Sequence, residues 1–270
     1  MTELKVDSLW EDIEKIRRQA PLVHNITNYV VMNTTANALL AIGASPVMAH
    51  AIGEVEEMVG LASALVINIG TLSEPWIDAM LRAGSEAGRR GIPVVLDPVG
   101  VGATTLRTET ARKLLQTIRP AVVRGNGSEI HALAMAGGIT KGVDSTMGAE
   151  AAVAAAAELS AEYKCVVAIS GATDVIINRD QRIDIRGGHP MMARVTGLGC
   201  TASALTGAFA AVNPDAFPAA AHAMAVMGIA GLMAAEKSAG PGSLQLYLLD
   251  ILYGIQRSDI ADHLDWEFHV

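Results

Sequence analysis

The sequence predicts an α/β fold, a three-layer, doubly wound, mainly parallel sheet with helices on both faces. Three observations lead there. Short apolar runs alternate with helical patterns through most of the chain, and that alternation calls for helical crossovers between parallel strands. Runs such as Ala64-Leu65-Val66-Ile67-Asn68-Ile69 and Pro93-Val94-Val95-Leu96-Asp97 are nearly continuous, as in strands covered on both faces. Aromatic residues make up only 4% of a chain that is 51% apolar. The layers must therefore pack closely, through small and aliphatic side chains.

Each element has its own signal. Ser8-Leu9-Trp10-Glu11 reads as a capping box opening a helix to about Gln19, with Pro21 beyond it. Residues 22–26 read as a strand, 30–40 as a helix stopped by Gly43, and 46–49 as a short strand. Residues 55–62 are helical, and 64–69 form a buried strand ending at Gly70. Ser73 is the expected N-cap of the next helix, with Pro75 tolerated in its first turn. Residues 93–97 form a strand and 105–118 a helix. Strand then turn covers 121–126, and helices cover 128–136 and 151–163. Strands follow at 165–169, 175–178 and 182–185, the last two separated by the turn-like Arg179-Asp180. From Thr201 on the pattern is helical. Residues 216–235 are uncharged and long enough to cross a bilayer, but they are mostly alanine and include Pro218 and His222. A buried helix or pair of helices is expected there, with no membrane. Residues 259–270 are charged and read either as a loose tail or as an oligomer contact.

The whole chain, residues 1–270, reads as a single domain. Twenty basic and 28 acidic residues give a net charge of −8 and a pI near 5.3, which argues against nucleic acid as a partner. Cys165 and Cys200 cannot build a disulfide framework, residues 1–10 lack an apolar leader core, and a cytoplasmic setting is expected.

In such folds ligands bind at the carboxyl ends of the strands. Those ends carry His24, Asn25, Thr27 and Asn28, then Gly70, then Asp97 with Pro98-Val99-Gly100-Val101-Gly102. Arg124, Asn126 and Glu129 follow, then Ser170 and Gly171. Singly, each has an ordinary structural use: Asp97 as a turn cap, Arg124 in a surface ion pair, Asn126 in shaping a loop. Together they converge on one edge. The strongest local signal is Gly197-Leu198-Gly199-Cys200 ahead of a small-residue helix. Glycines let successive N–H groups face one point, and the helix dipole adds positive potential there. Cys200 falls at that helix N-terminus, a position that can favour thiolate. There is no Gly-Lys dipeptide, no HExxH, no paired CxxC and no nucleophile elbow.

Gly197-Leu198-Gly199-Cys200, Asp97-Pro98-Val99-Gly100 and Asn126-Gly127-Ser128-Glu129 together resemble the ribokinase-like superfamily of small-molecule kinases. The departure is Cys200, where most members carry Asp. Val23-His24-Asn25-Ile26-Thr27-Asn28-Tyr29-Val30, Gly43-Ala44-Ser45-Pro46-Val47-Met48, Asn68-Ile69-Gly70-Thr71-Leu72 and Arg124-Gly125-Asn126 resemble the hydroxyethylthiazole kinase family, over roughly residues 10–255. The resemblance implies ATP-dependent phosphorylation of the primary hydroxyl of 4-methyl-5-(2-hydroxyethyl)thiazole, in thiamin biosynthesis and salvage. It implies an anion hole at Gly197, Leu198, Gly199 and Cys200, with Cys200 beside the alcohol as a catalytic group. Asp97 and Glu129 would bind Mg²⁺; Arg124, Ser170 and Asn126 would serve ATP; Met48, Gly197, Asn25 and Gly70 would hold the thiazole. It also implies a homotrimer with active sites at subunit boundaries. Kept open are a kinase of another alcohol (hydroxymethylpyrimidine or pyridoxal type), an ATP-dependent dehydratase acting on hydrated nicotinamide cofactors, and a non-catalytic thiazole or nucleotide sensor.

Overall fold

The computed structural model describes residues 5–136 and 149–269. The chain opens with α1 (Val6–Gln19), β1 (Leu22–Ile26), α2 (Met32–Ile42) and β2 (Ser45–Val47). It continues through α3 (Val55–Leu61), β3 (Ala64–Asn68), α4 (Glu74–Arg90), β4 (Val94–Asp97) and α5 (Thr105–Ile118). Next come β5 (Val122–Asn126), α6 (Gly127–Ala136), α7 (Ala149–Tyr163), β6 (Val166–Ser170), β7 (Thr173–Asn178) and β8 (Gln181–Arg186). A short 3-10 turn, Pro190–Arg194, leads into α8 (Leu198–Val212), α9 (Ala216–Lys237), α10 (Pro241–Gly254), α11 (Arg257–His263) and β9 (Asp265–His269).

Among the described residues these strands form one sheet in the order β2-β1-β3-β4-β5-β6-β7-β8-β9. From β2 to β6 every pairing is parallel. From β6 to β9 every pairing is antiparallel. The sheet separates two cores, because alternate residues of a strand face opposite sides. Val66 and Val95 pack into a cluster with Leu9, Leu39, Leu205 and Val226, whereas Leu65, Ile67 and Leu96 pack with Ala79, Leu114 and Ile130. The small residues of α8 let it lie close across β1, β3 and β4. A Cβ on Gly207 would stand 2.6 Å from Val66 Cγ2.

The expected architecture holds, with local differences. Helix α1 begins at Val6, and Ser8, rather than Glu11, reaches back: the Lys5 N–H donates to Ser8 Oγ at 3.2 Å. Ser73 occupies the cap position of α4, but its side chain makes no cap bond. Residues 216–235 lie in one helix, α9, which is long and apolar enough to cross a membrane, yet 78% of its most apolar stretch is buried in the core. Residues 259–269 are not a loose tail. They complete α11 and add β9 to the sheet edge, where Arg186 pairs with Asp265 (3.0 Å) and Glu267 (2.6 Å).

Candidate active site

The parallel strands β1, β3 and β4 end side by side, and their last polar residues form one buried chain. Asp97 closes β4 and has no exposed surface. Its Oδ2 accepts from Asn68 Nδ2 and from Ser203 Oγ of α8, both at 2.7 Å. Asn68 Oδ1 in turn accepts from Asn28 Nδ2 and the Gly70 N–H, both at 2.9 Å. Asn28 Nδ2 also reaches Cys200 Sγ at 3.5 Å. Gly70 is required here: a Cβ would fall 2.6 Å from Asn28 Nδ2. The other oxygen of Asp97, Oδ1, is buried without a partner.

That arrangement sets the protonation states. Burial pushes Asp97 up to about 6 and the Glu129 charge adds to it, while Arg124, Ser203 and Asn68 pull the other way. Burial, then the charge of Asp97, pushes the Cys200 thiol up to about 11, outweighing the amides of Asn68 and Asn28 and the charge of Arg124. The helix N-terminus therefore does not produce a thiolate here; Cys200 carries its proton at neutral pH.

Gly197 caps α8 at φ +83°, in the left-handed region, and a Cβ there would also strike Val31 Cγ1 at 2.6 Å. The first N–H to bond back along this turn is that of Thr201, to Gly197 O at 2.8 Å. Those of Leu198, Gly199 and Cys200 precede the helical ladder and sit at its positive end. Arg124 of β5 lies over them. A Cβ on Gly199 would stand 2.8 Å from Arg124 Nη1. Arg124 is 7% exposed and its Nε is buried without a partner. Guanidinium and helix N-terminus thus form a preformed anion cradle.

A cleft of about 620 Å³ opens from this cradle, lined by Arg124, Gly199 and Ser170 on one side and by Met192, Met224 and Met227 on another. Ser170 Oγ lies 3.5 Å from Gly125 O, next to Arg124. Asp174 lies in the same wall; its Oδ1 accepts from the Gly171 N–H at 3.0 Å, and burial pushes it up to about 6 against the pull of Arg124. Asn126 shapes the loop after β5. Its Oδ1 accepts from Ser128 Oγ (2.7 Å) and the Glu129 N–H (2.9 Å). Glu129 Oε1 and Oε2 accept from the N–H groups of Gly100 and Asn126, each at 2.9 Å. Among the described residues no cluster of three or more His, Cys, Asp or Glu side chains forms a closed metal site. The donors present suit a hard ion of the Mg²⁺ kind, which takes one or two carboxylates and completes its shell with phosphate and water. Asp97 Oδ1 could serve such an ion as a donor, being buried without a partner, and Glu129, tied through both oxygens, could add charge beside it.

The residues expected around the acceptor are spread more widely. Met48 follows the edge strand β2 and is half-buried. Asn25 lies buried within β1; its Nδ2 turns back onto Val23 O at 2.9 Å and its Oδ1 has no partner. It is Asn28, not Asn25, whose side chain reaches Cys200. Nearby, Trp76 is flanked by His50 (ring centroids 4.4 Å apart) and Tyr29 (4.9 Å). The sequence reading gave no role to Asn68, Ser203 or Arg107. Arg107 of α5 stitches the loops after β3 and β4 by donating to the carbonyls of Ile69 (3.0 Å), Val99 (2.7 Å) and Gly70 (2.8 Å). Position on a helix gave no signal for Ser203 or Arg107. Asn68 had one: an amide interrupting an apolar strand.

Comparisons with known proteins place the chain in a family and a fold. The sequence profile of the hydroxyethylthiazole kinase family matches residues 13–258. A hydroxyethylthiazole kinase of Syntrophus aciditrophicus is 60% identical over 263 residues, 97% of each chain. The structure of a hydroxyethylthiazole kinase protein from Pyrococcus horikoshii superposes with a TM-score of 0.92 at 42% identity, covering 98% of this chain and 100% of that one. A Staphylococcus aureus pyridoxal kinase, solved with AMP-PCP and pyridoxal, shares the fold at 18% identity and a TM-score of 0.63, covering 93% of this chain and 99% of that one.

Proposed function

The chain belongs to the hydroxyethylthiazole kinase family, and we propose that its strand-end site moves the γ-phosphoryl group of ATP onto the primary hydroxyl of 4-methyl-5-(2-hydroxyethyl)thiazole, a step of thiamin salvage. The observation that carries this reading is the convergence of three groups at the N-terminus of α8: the Arg124 guanidinium, the N–H groups at 198–200, and the buried open oxygen of Asp97.

Phosphoryl transfer asks a protein for position and charge rather than for covalent chemistry. Arg124 forks onto phosphate oxygens, Ser170 meets the nucleotide, and Asn126 holds the loop beside them. The N–H groups at 198–200 receive the charge that builds on the transferring group. Asp97 would hold Mg²⁺, with Glu129 supporting it through water, and the ion would neutralise charge on the phosphate oxygens. Cys200, protonated, orients the alcohol oxygen with its S–H while Asn28 holds its sulfur. The alcohol proton departs late in a loose transfer, so a neutral thiol suffices for this role. Met48 and Gly197 bound the thiazole site, with Asn25 and Gly70 behind it; a polarizable methionine suits a flat sulfur heterocycle.

We read residues 1–270 as one kinase domain in a cytoplasmic homotrimer whose neighbouring copies complete the thiazole site. Met48 lies at the open β2 edge of the sheet, where Tyr29 and Val30 stand 64% and 67% exposed. The two cysteines are free thiols. An ADP-release assay with Mg·ATP and a panel of hydroxyethylthiazole, hydroxymethylpyrimidine and pyridoxal, with the product identified by mass spectrometry, tests the reading. Thiazole monophosphate formed well above the other products is expected. Phosphate release without a phosphorylated alcohol would favour the dehydratase, and binding without turnover the sensor.

A further inference from the structure

The cleft beside Arg124 has two unlike walls. Arg124, Ser170 and Asp174 come from β5, β6 and β7, and all three belong to the charged side. The facing wall, from the segment after β8 and from α9, presents Met192, Met224 and Met227 over three glycines. Several of its polar groups bond to one another. The Gly188 N–H donates to Gly228 O at 3.1 Å. The His189 N–H donates to Met192 Sδ at 3.4 Å, and the Met191 N–H donates to His189 Nδ1 at 3.2 Å. His189 itself is exposed at the mouth, where any bond from its ring competes with water. The backbones of Gly187 and Gly228 lie in contact: a Cβ on Gly187 would meet Gly228 Cα at 3.5 Å, an ordinary van der Waals distance. On the charged side, Asp174 Oδ1 is held by the Gly171 N–H.

A wall of this kind can grip the face of a base but has little with which to read its edge. Every base offers a π-face, and thioether sulfur packs well against aromatic rings. Strong rejection of a wrong base requires buried donors or acceptors that the wrong base leaves unpaired, and an apolar pocket alone discriminates by only about 10- to 200-fold. We propose that the enzyme accepts purine and pyrimidine nucleoside triphosphates alike as phosphoryl donors, with the triphosphate recognised at Arg124 and α8 and the base held non-specifically by the methionine wall. The inference rests on the kinase reading of this cleft. The γ-phosphorus–oxygen bond of the donor breaks, the same phosphorus bonds to the thiazole alcohol oxygen, and the nucleoside diphosphate leaves while the alcohol proton passes to solvent.

The test is kcat/KM for thiazole monophosphate formation with the magnesium complexes of ATP, GTP, CTP and UTP, the product quantified by mass spectrometry. GTP, CTP and UTP are expected within about 100-fold of ATP. A larger deficit for any of them overturns the proposal and leaves the kinase reading standing. No thiazole monophosphate from any of the four donors overturns the kinase reading itself. Met227→Leu keeps the wall apolar and removes its sulfur. It is expected to weaken all donors alike and leave their ratios within about threefold, whereas selective loss of one donor would show that the wall reads base identity.

Discussion

Two aspartates are buried at opposite ends of α8, and they differ in almost everything except burial. Asp97, near the helix N-terminus, is 0% exposed; Asp12 of α1, near the C-terminus, is 1% exposed. Asp12 is fully partnered. Its Oδ1 receives Lys15 Nζ (2.9 Å), and its Oδ2 receives Asn213 Nδ2 (2.6 Å) and His222 Nδ1 (2.8 Å). Burial is the largest single influence and pushes Asp12 up, yet His222, Lys15 and Asn213 together hold it below the ordinary carboxylate value. Asp97 has two neutral donors on one oxygen and none on the other, and is pushed up to about 6. On the proposed function, that difference is the one between a structural carboxylate and a functional one. A buried charge whose bonds all close within the protein pins helices together; one left open keeps a place for something that arrives later.

Asp12→Ala should produce the largest stability effect. It removes one partner from a buried charged cluster that ties α1 to α8 and α9, and about 3–5 kcal/mol of stability should be lost. Turnover per folded molecule should stay within twofold or so, since the cluster lies about 20 Å along α8 from Cys200. Urea unfolding and the kinase assay on one preparation check both halves. Wild-type stability, or a large fall in turnover, would break the comparison.

The two groups should also titrate with opposite sign in protein stripped of divalent ions. Asp12, lowered in the fold, contributes stability that is present above the unfolded value of 3.8 and lost as pH falls through its folded value. Asp97, raised from 3.8 to about 6, does the reverse. Its contribution is complete below 3.8 and lost as pH rises to about 6, roughly 3 kcal/mol over that window. Unfolding free energies at a series of pH values should therefore fall less steeply between pH 4 and 6 in Asp97→Asn than in the parent. Parallel curves would contradict the assignment.

A smaller effect is expected at Cys200. Cys200→Ala should lose most turnover, on the order of tenfold, and keep ATP binding, because a positioning contact is lost and the cradle is not. Cys200→Asp should remain active, since it restores the acid usual in the wider superfamily. Near-normal turnover in the alanine variant would remove Cys200 from the reaction. If the neutral thiol is the working form, turnover should not rise between pH 7 and 9; with the thiol pushed up to about 11, a thiolate mechanism would make it climb steeply over that range.

The sequence showed the working half of the molecule better than the supporting half. Strands β3 to β6 were legible because burial on both faces leaves uninterrupted apolar runs, and their polar ends stood out against them. Asp97, Arg124 and Gly197 to Cys200 could be named on that basis, and the structure brings them together. What failed to show was long-range pairing. Ser203 meets Asp97 across 106 positions, and His222 meets Asp12 across 210. Composition cannot reveal either. Strand β9 was readable in principle, since Trp266 and Phe268 alternate with Asp265 and Glu267, but the charges drew attention from the period of two. Asn28 was passed over within the same motif as Asn25: Asn25 is inside the strand, while Asn28 lies in the loop and its side chain reaches Cys200.

The most direct test of the account is Asp97→Asn, which keeps the shape and both donors' contacts but removes the open charge. Turnover to thiazole monophosphate with Mg·ATP should fall by about 10²- to 10³-fold, with the melting temperature equal to or above that of the parent, because an unpaired buried charge has gone. An Asp97→Asn enzyme that melts early and turns over within tenfold of the parent would place Asp97 with Asp12, among the residues that only hold the fold.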